Sequence, residues 1–145
     1  ALVDWYGTHD VYDYRPNKRN TEALMDQLEK VGLQFAVVYE DNTAEKVAQR
    51  RQAQSPIEAA HADLLHLQQH YFSRPSYIAM DGAPLLLTFG PKFFETEEEW
   101  TRIFADIVPK PRFLPLWHQS SDAGVHASGE FAWAMMNFSS LSADR

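Results

Sequence analysis

The chain has 145 residues, 45% hydrophobic and 13% aromatic, which suffices for the core of one domain or part of one and excludes disorder as a general description. A formal charge of −7, with no basic cluster longer than Lys18-Arg19 or Arg50-Arg51, argues against a nucleic-acid partner, because no basic stripe is present to displace counterions from a phosphate backbone. The lack of cysteine removes disulfides, thiolate zinc sites and cysteine nucleophiles without fixing the compartment, and no apolar run approaches the roughly 20 residues of a bilayer span.

Leu2 to Tyr6 reads as a strand. Because the chain starts directly in it, with no basic region ahead, something upstream is expected to have been trimmed away, and a soluble, secreted or periplasmic full-length form is compatible with that. Gly7 to Lys18 reads as a long loop rich in polar and aromatic groups, among them His9, Asp10, Tyr12 and Tyr14. Asn20 is placed to cap a helix with Leu24, Leu28 and Val31 on one face and Gly32 as its stop.

The unbroken apolar run Phe35-Ala-Val-Val-Tyr39 then delivers Glu40 and Asp41 to its end, as a strand buried on both faces does. Asn42 is expected to cap a short helix through about Gln54. Ser55, Pro56 and Glu58 open a better-specified helix with the stripe Ile57, Ala60, Leu64, Leu67 and Tyr71. Tyr77 to Met80 and Pro84 to Leu87 form a strand pair about the turn Asp81-Gly82-Ala83.

Thr96 and Glu99 make a capping box ahead of Trp100, Ile103, Phe104 and Ile107, and the acidic run Glu97 to Glu99 belongs to that helix end and its dipole. Phe113 to Trp117 is the next strand, Gln119 to Ser128 a loop, and Glu130 to Met136 a further strand before a polar tail. Strands alternating with helices predict a mostly parallel sheet, and no Gly-rich phosphate loop follows any strand. The fold class is therefore α/β and TIM-barrel-like. A closed barrel typically needs about 250 residues, so residues 1–145 are expected to form one partial barrel domain, completed by the rest of a larger barrel or by a second chain.

Taken together, Asp4-Trp5-Tyr6-Gly7, Tyr39-Glu40-Asp41, the Tyr77 to Gly90 stretch with Asp81-Gly82-Ala83-Pro84-Leu85-Leu86, and Phe131-Ala132-Trp133 resemble the endo-α-mannosidase-like glycoside hydrolases and their α-glucanase relatives. The resemblance runs from about Leu2 to Trp133. It implies a (β/α)8 barrel, an early strand ending in aromatics that shape a sugar site, and Glu40 as the first carboxylate of a Glu-x-x-Glu pair. Thr43 stands where the second Glu of that pair is expected.

Glycoside cleavage uses two carboxyl groups, about 5 to 5.5 Å apart for retention and about 6.5 to 9.5 Å for inversion. Glu40 is the first candidate, as acid or base, with Asp4, Asp41 and Glu130 as candidates for the second and Asp4 leading because it ends the neighbouring strand. Trp5, Tyr6, Tyr39, Trp117 and Trp133 offer stacking surfaces for an oligosaccharide or polysaccharide, and His9 and His118 offer polar contacts. His9, His118 and His126 lack the spacing of a metal site, and His61, His66 and His70 lie on one helix as a solvated flank, so neither metal nor cofactor is expected. The expected activity is hydrolysis of α-linked mannan- or glucan-type glycans. Its competitor is a non-catalytic carbohydrate-binding or interaction module that keeps the aromatic cleft.

Overall fold

The computed structural model of the chain describes residues 1–11 and 13–133. Its elements, in chain order, are β1 (Leu2–Trp5), α1 (Tyr14–Lys30), β2 (Ala36–Tyr39), α2 (Thr43–Gln49), α3 (Pro56–His70), β3 (Ala79–Met80), β4 (Ala83–Thr88), α4 (Glu97–Ile103), β5 (Arg112–Leu114) and α5 (Ser120–Ala123). The fold is α/β with a mostly parallel, five-stranded sheet that is open among the described residues. β1 pairs with β2, β2 with β4 and β4 with β5, all parallel, and only the short β3 runs antiparallel, as the hairpin partner of β4. Beyond β5, parallel bridges join Phe113 to Ala127 and Leu116 to Phe131. Each parallel segment therefore lies beside its predecessor in the chain, and the order never reverses.

Register divides the side chains between two faces. Val3, Val37, Leu86 and Phe113 are aligned across the sheet, with Trp5, Tyr39 and Thr88 two residues further along. Partners in a parallel ladder and residues two apart share a face. This is the helix-packed face: Trp100 of α4 lies 4.6 Å from the Phe113 ring, and Trp5 packs against Tyr39, His66 and Tyr71. Burial holds His66, stacked on Trp5, down to about 4, so its ring is neutral at physiological pH. Asp4, Val38 and Leu87 form the row on the opposite face.

The helix signals hold in part. Ser55 Oγ accepts the Glu58 amide, and Ala60, Leu64, Leu67 and Tyr71 are buried as their spacing requires. Glu58 turns its carboxylate to the Gln54 amide rather than to that of the cap. The Thr96–Glu99 box is complete in both directions. α1, however, starts at Tyr14, so Asn20 is an interior residue and the loop after β1 is shorter than composition implies. Pro16 in the first turn fits helical φ, and buried Tyr14 is the only large apolar residue of that turn, which hides it from hydrophobic periodicity. Its buried face is Tyr14, Thr21, Met25 and Leu28, leaving Leu24 and Val31 exposed.

α2 stops at Gln49 rather than near Gln54, and Asn42 precedes it without a side-chain capping bond. β5 spans Arg112–Leu114 rather than Phe113 to Trp117, although Leu116 still donates its amide to Gly90 O and Trp117 to Phe131 O. The strand expected over Glu130 to Met136 is a single bridge at Phe131, and its last residues, like Tyr12 and the polar tail, lie outside the described residues. No described helix is long and apolar enough to cross a membrane.

Phe113 sits fully buried between Trp100 and Phe104. Phe113→Ala is expected to lower the free energy of unfolding by about 3 to 5 kcal/mol, read from urea denaturation, because this cluster of rings has little room to close over the cavity.

Candidate functional site

β1, β2 and β4 end together, and the residues just beyond them make the site. Glu40 continues the ladder by donating its amide to Trp5 O, while Thr88 Oγ1 donates to Tyr39 O. Alternation then sends Asp4, Glu40 and Phe89 toward the face away from α3 and α4. There, Leu2, Asp4, Val38, Glu40, Phe89 and Trp133 line a cleft of about 290 Å³. Glu40 also lines a second cleft, of about 320 Å³, with Tyr6, Asp13, Tyr14, Asn42, Thr43 and Lys46. Glu40 thus lies between two hollows, one bounded by Phe89 and Trp133 and the other by Tyr6, Tyr14 and several polar side chains.

The two carboxyls of the cleft share one electrostatic setting. Burial pushes Glu40 above its ordinary value, opposed by the Lys92 ammonium and reinforced by Asp4. Burial likewise raises Asp4, opposed by Tyr6 and Lys92. The Tyr6 hydroxyl is directed at the Asp4 carboxylate, and that interaction, followed by burial, pushes the phenol up to about 12. Lys92 Nζ stands 3.4 Å from Glu40 Oε2 and 4.2 Å from the Phe89 ring centroid. Trp133, 50% exposed, meets Phe89 edge-on at 5.4 Å. An indole with a free face beside two partly desolvated carboxyls suits a polyhydroxylated ring, whose C–H faces stack on aromatics while its hydroxyls find oxygen acceptors.

Asp41 points elsewhere. It is fully buried, and its carboxylate accepts the backbone amides of Lys92 (3.0 Å), Phe93 (2.9 Å) and Phe94 (3.1 Å). The adjacent acids thus divide as strand alternation requires, one facing the cleft and one anchoring the loop after β4. Thr43 donates its hydroxyl to Glu40 O at 2.7 Å and is spent on the turn into α2.

The remaining candidates are spread more widely. Trp5 and Tyr39 are fully buried on the helix-packed face. Trp117 is exposed, stacks on His118 at 4.6 Å, and lines a separate hollow with Glu130, Phe131 and Ala132. Glu130 accepts the Ser120 amide, and hydrogen bonding to the Ser120 hydroxyl and amide holds its carboxyl below the usual value. His9 lies in the loop after β1, its Nδ1 3.7 Å from Asp63 Oδ1.

Asp63, on α3, gathers that loop. It accepts from Thr8 N at 2.9 Å, from Thr8 Oγ1 at 3.0 Å and from Tyr39 OH at 3.1 Å. Gly7, at φ +93°, lies so close that a Cβ would overlap the Asp63 carboxylate. Asp63 and Lys92 are the functional-region residues that motif reasoning misses. Asp63 had a signal, a lone acid on the buried stripe between Ala60 and Leu64. Lys92 had only its place two residues after the Gly90 break. Among the described residues, no three His, Asp or Glu side chains converge as metal ligands.

Two outcomes test this construction. Asp41→Asn keeps the shape but removes the charge and, with its carbonyl oxygen on the three amides, turns its NH2 group toward the Lys92 amide, and is expected to lower the free energy of unfolding by about 2 to 3 kcal/mol in chemical denaturation. The Asp63 carboxylate raises His9 above its ordinary 6.5. The stabilisation from His9 is therefore fully present below pH 6.5 and lost as pH rises through the higher folded-state value, so His9→Asn is expected to destabilise more at pH 5 than at pH 9. Set against protein-family profiles, curated proteins and solved structures, the chain finds no significant match in any of the three comparisons.

Proposed function

We propose that the chain is part of a (β/α) barrel acting on α-linked mannan- or glucan-type glycans, with Glu40 as acid/base and Asp4 as its partner carboxyl. The observation that carries this reading is the shared cleft: Asp4 and Glu40, each held above the usual carboxylate range by burial, line one hollow with Phe89 and Trp133 at the carboxyl ends of parallel strands. Strand ends on this side are where barrel enzymes carry their chemistry. The uninterrupted neighbour order β1, β2, β4, β5 supports a barrel segment, since a doubly wound sheet reverses its order at the ligand crevice.

A carboxyl with an elevated pKa keeps its proton into the mildly acidic range and donates it to a departing glycosidic oxygen. The neighbouring carboxyl, ionised, then stabilises the oxocarbenium-like centre or activates water. Trp133 and Phe89 receive the apolar face of one ring, and the hollow beyond Glu40, with Asn42 and Lys46, receives the hydroxyls of the next. The partner is an oligosaccharide or polysaccharide. Thr43, bonded to Glu40 O where the family pattern has its second acid, favours a second reading: a glycan-binding or interaction module that keeps the cleft without turnover.

Glu40→Gln is expected to cut release of reducing ends from manno- or gluco-oligosaccharides by about a thousandfold while leaving the circular dichroism spectrum unchanged. Near-normal cleavage by this variant removes Glu40 from the mechanism. Saturable quenching of tryptophan fluorescence by the same sugars, with no new reducing ends from the wild-type chain, establishes the binding module instead.

A further inference from the structure

Lys92 reaches the cleft because the backbone delivers it there. A Cβ at Gly90 would overlap the Lys92 amide nitrogen, so the chain turns tightly at that point, and Asp41 then holds the amides of residues 92 to 94. From this anchored start the ammonium lies over the Phe89 ring at 4.2 Å and against Glu40 Oε2 at 3.4 Å. The Glu40 side chain is 15% exposed and that of Lys92 40%, so solvent screens the pair only in part. The other charged or titratable groups around Glu40 are few. β1 supplies Asp4, Tyr6 follows that strand, Tyr14 opens α1, and Asp41, just past β2, is turned to the backbone. Asp13 stands ahead of α1, and Lys46 of α2 is paired with Glu45 at 3.9 Å. Lys92 is the cation that faces both cleft carboxyls.

We propose that Lys92 is a positioning residue of this cleft: its ammonium, brought over Phe89 from a backbone that Asp41 anchors, holds the Glu40 carboxylate in place and sets the pH at which Glu40 and Asp4 exchange protons. The catalytic consequence rests on the acid/base reading of Glu40; the electrostatic consequence does not. Without the ammonium, burial and mutual repulsion act unopposed on Glu40 and are countered at Asp4 only by Tyr6 and the Trp5 backbone, so the two carboxyls titrate as a pair at higher pH.

The test is a carboxyl-carbon NMR titration of Glu40 and Asp4 in the 145-residue chain, as wild type, Lys92→Met, Lys92→Gln and Lys92→Arg, run beside turnover of the oligosaccharides above. Both neutral variants are expected to raise the upper midpoint of the pair by about one pH unit, and Lys92→Arg to restore most of it. The pH window of kcat moves in the same direction, with little change in KM. Unmoved midpoints in either folded neutral variant overturn the proposal whatever the activity. A raised KM with an unshifted pH window also overturns it and makes Lys92 a substrate contact. If the wild-type chain cleaves no glycan, the catalytic reading fails, and the titration alone still decides the role of Lys92.

Discussion

The site depends on one buried carboxylate. Asp41 leaves the end of β2 and gathers three successive amides from the loop after β4, so two strands that are distant in the chain are tied at their functional ends by a single side chain. Amides withdrawn from water need acceptors, and a carboxylate that takes several of them at once is among the stronger arrangements available to a protein. The cost of burying the charge is offset by those bonds. The adjacent residue, Glu40, is thereby placed beside the backbone that carries Lys92 and at the edge of the cleft.

A second buried carboxylate does the same for the strand next door. Asp63 reaches from α3 to the loop leaving β1, taking the Thr8 amide and hydroxyl together with the Tyr39 hydroxyl. Burial raises the Tyr39 phenol well above its ordinary value, so it stays a donor throughout the physiological range. The two anchors lie on the packed side of the sheet ends, and the two titratable acids, Asp4 and Glu40, on the cleft side. Anions that hold backbone in place are saturated with donors, whereas those that face the cleft keep unspent lone pairs.

Much of this is legible in the residues themselves. The parallel sheet follows from the apolar run Phe35 to Tyr39 and from strands alternating with capped helices, and Glu40 can be placed at a strand end without coordinates. The opposite orientations of Glu40 and Asp41 follow from strand alternation alone. What the residues do not disclose is which side chains are claimed by the interior. Trp5 and Tyr6 are neighbours with similar chemistry, yet Trp5 is sealed against His66 and Tyr71 while Tyr6 reaches Asp4. Parity distinguishes them only once one face is known to be covered by helices. The start of α1 is hidden for a related reason: a helical turn held by one buried tyrosine and a proline has no periodic apolar signature. Lys92 is invisible because its role arises from a loop fastened by a residue about fifty positions away.

The division of the strands into alternate positions has an evolutionary corollary. Trp5, Tyr39 and Thr88 keep the sheet on its helices, while their immediate neighbours Asp4, Glu40 and Phe89 make the hollow. Replacement along the second series leaves interior packing almost untouched, so a lineage carrying this framework is free to exchange its chemistry one residue at a time and remain folded throughout.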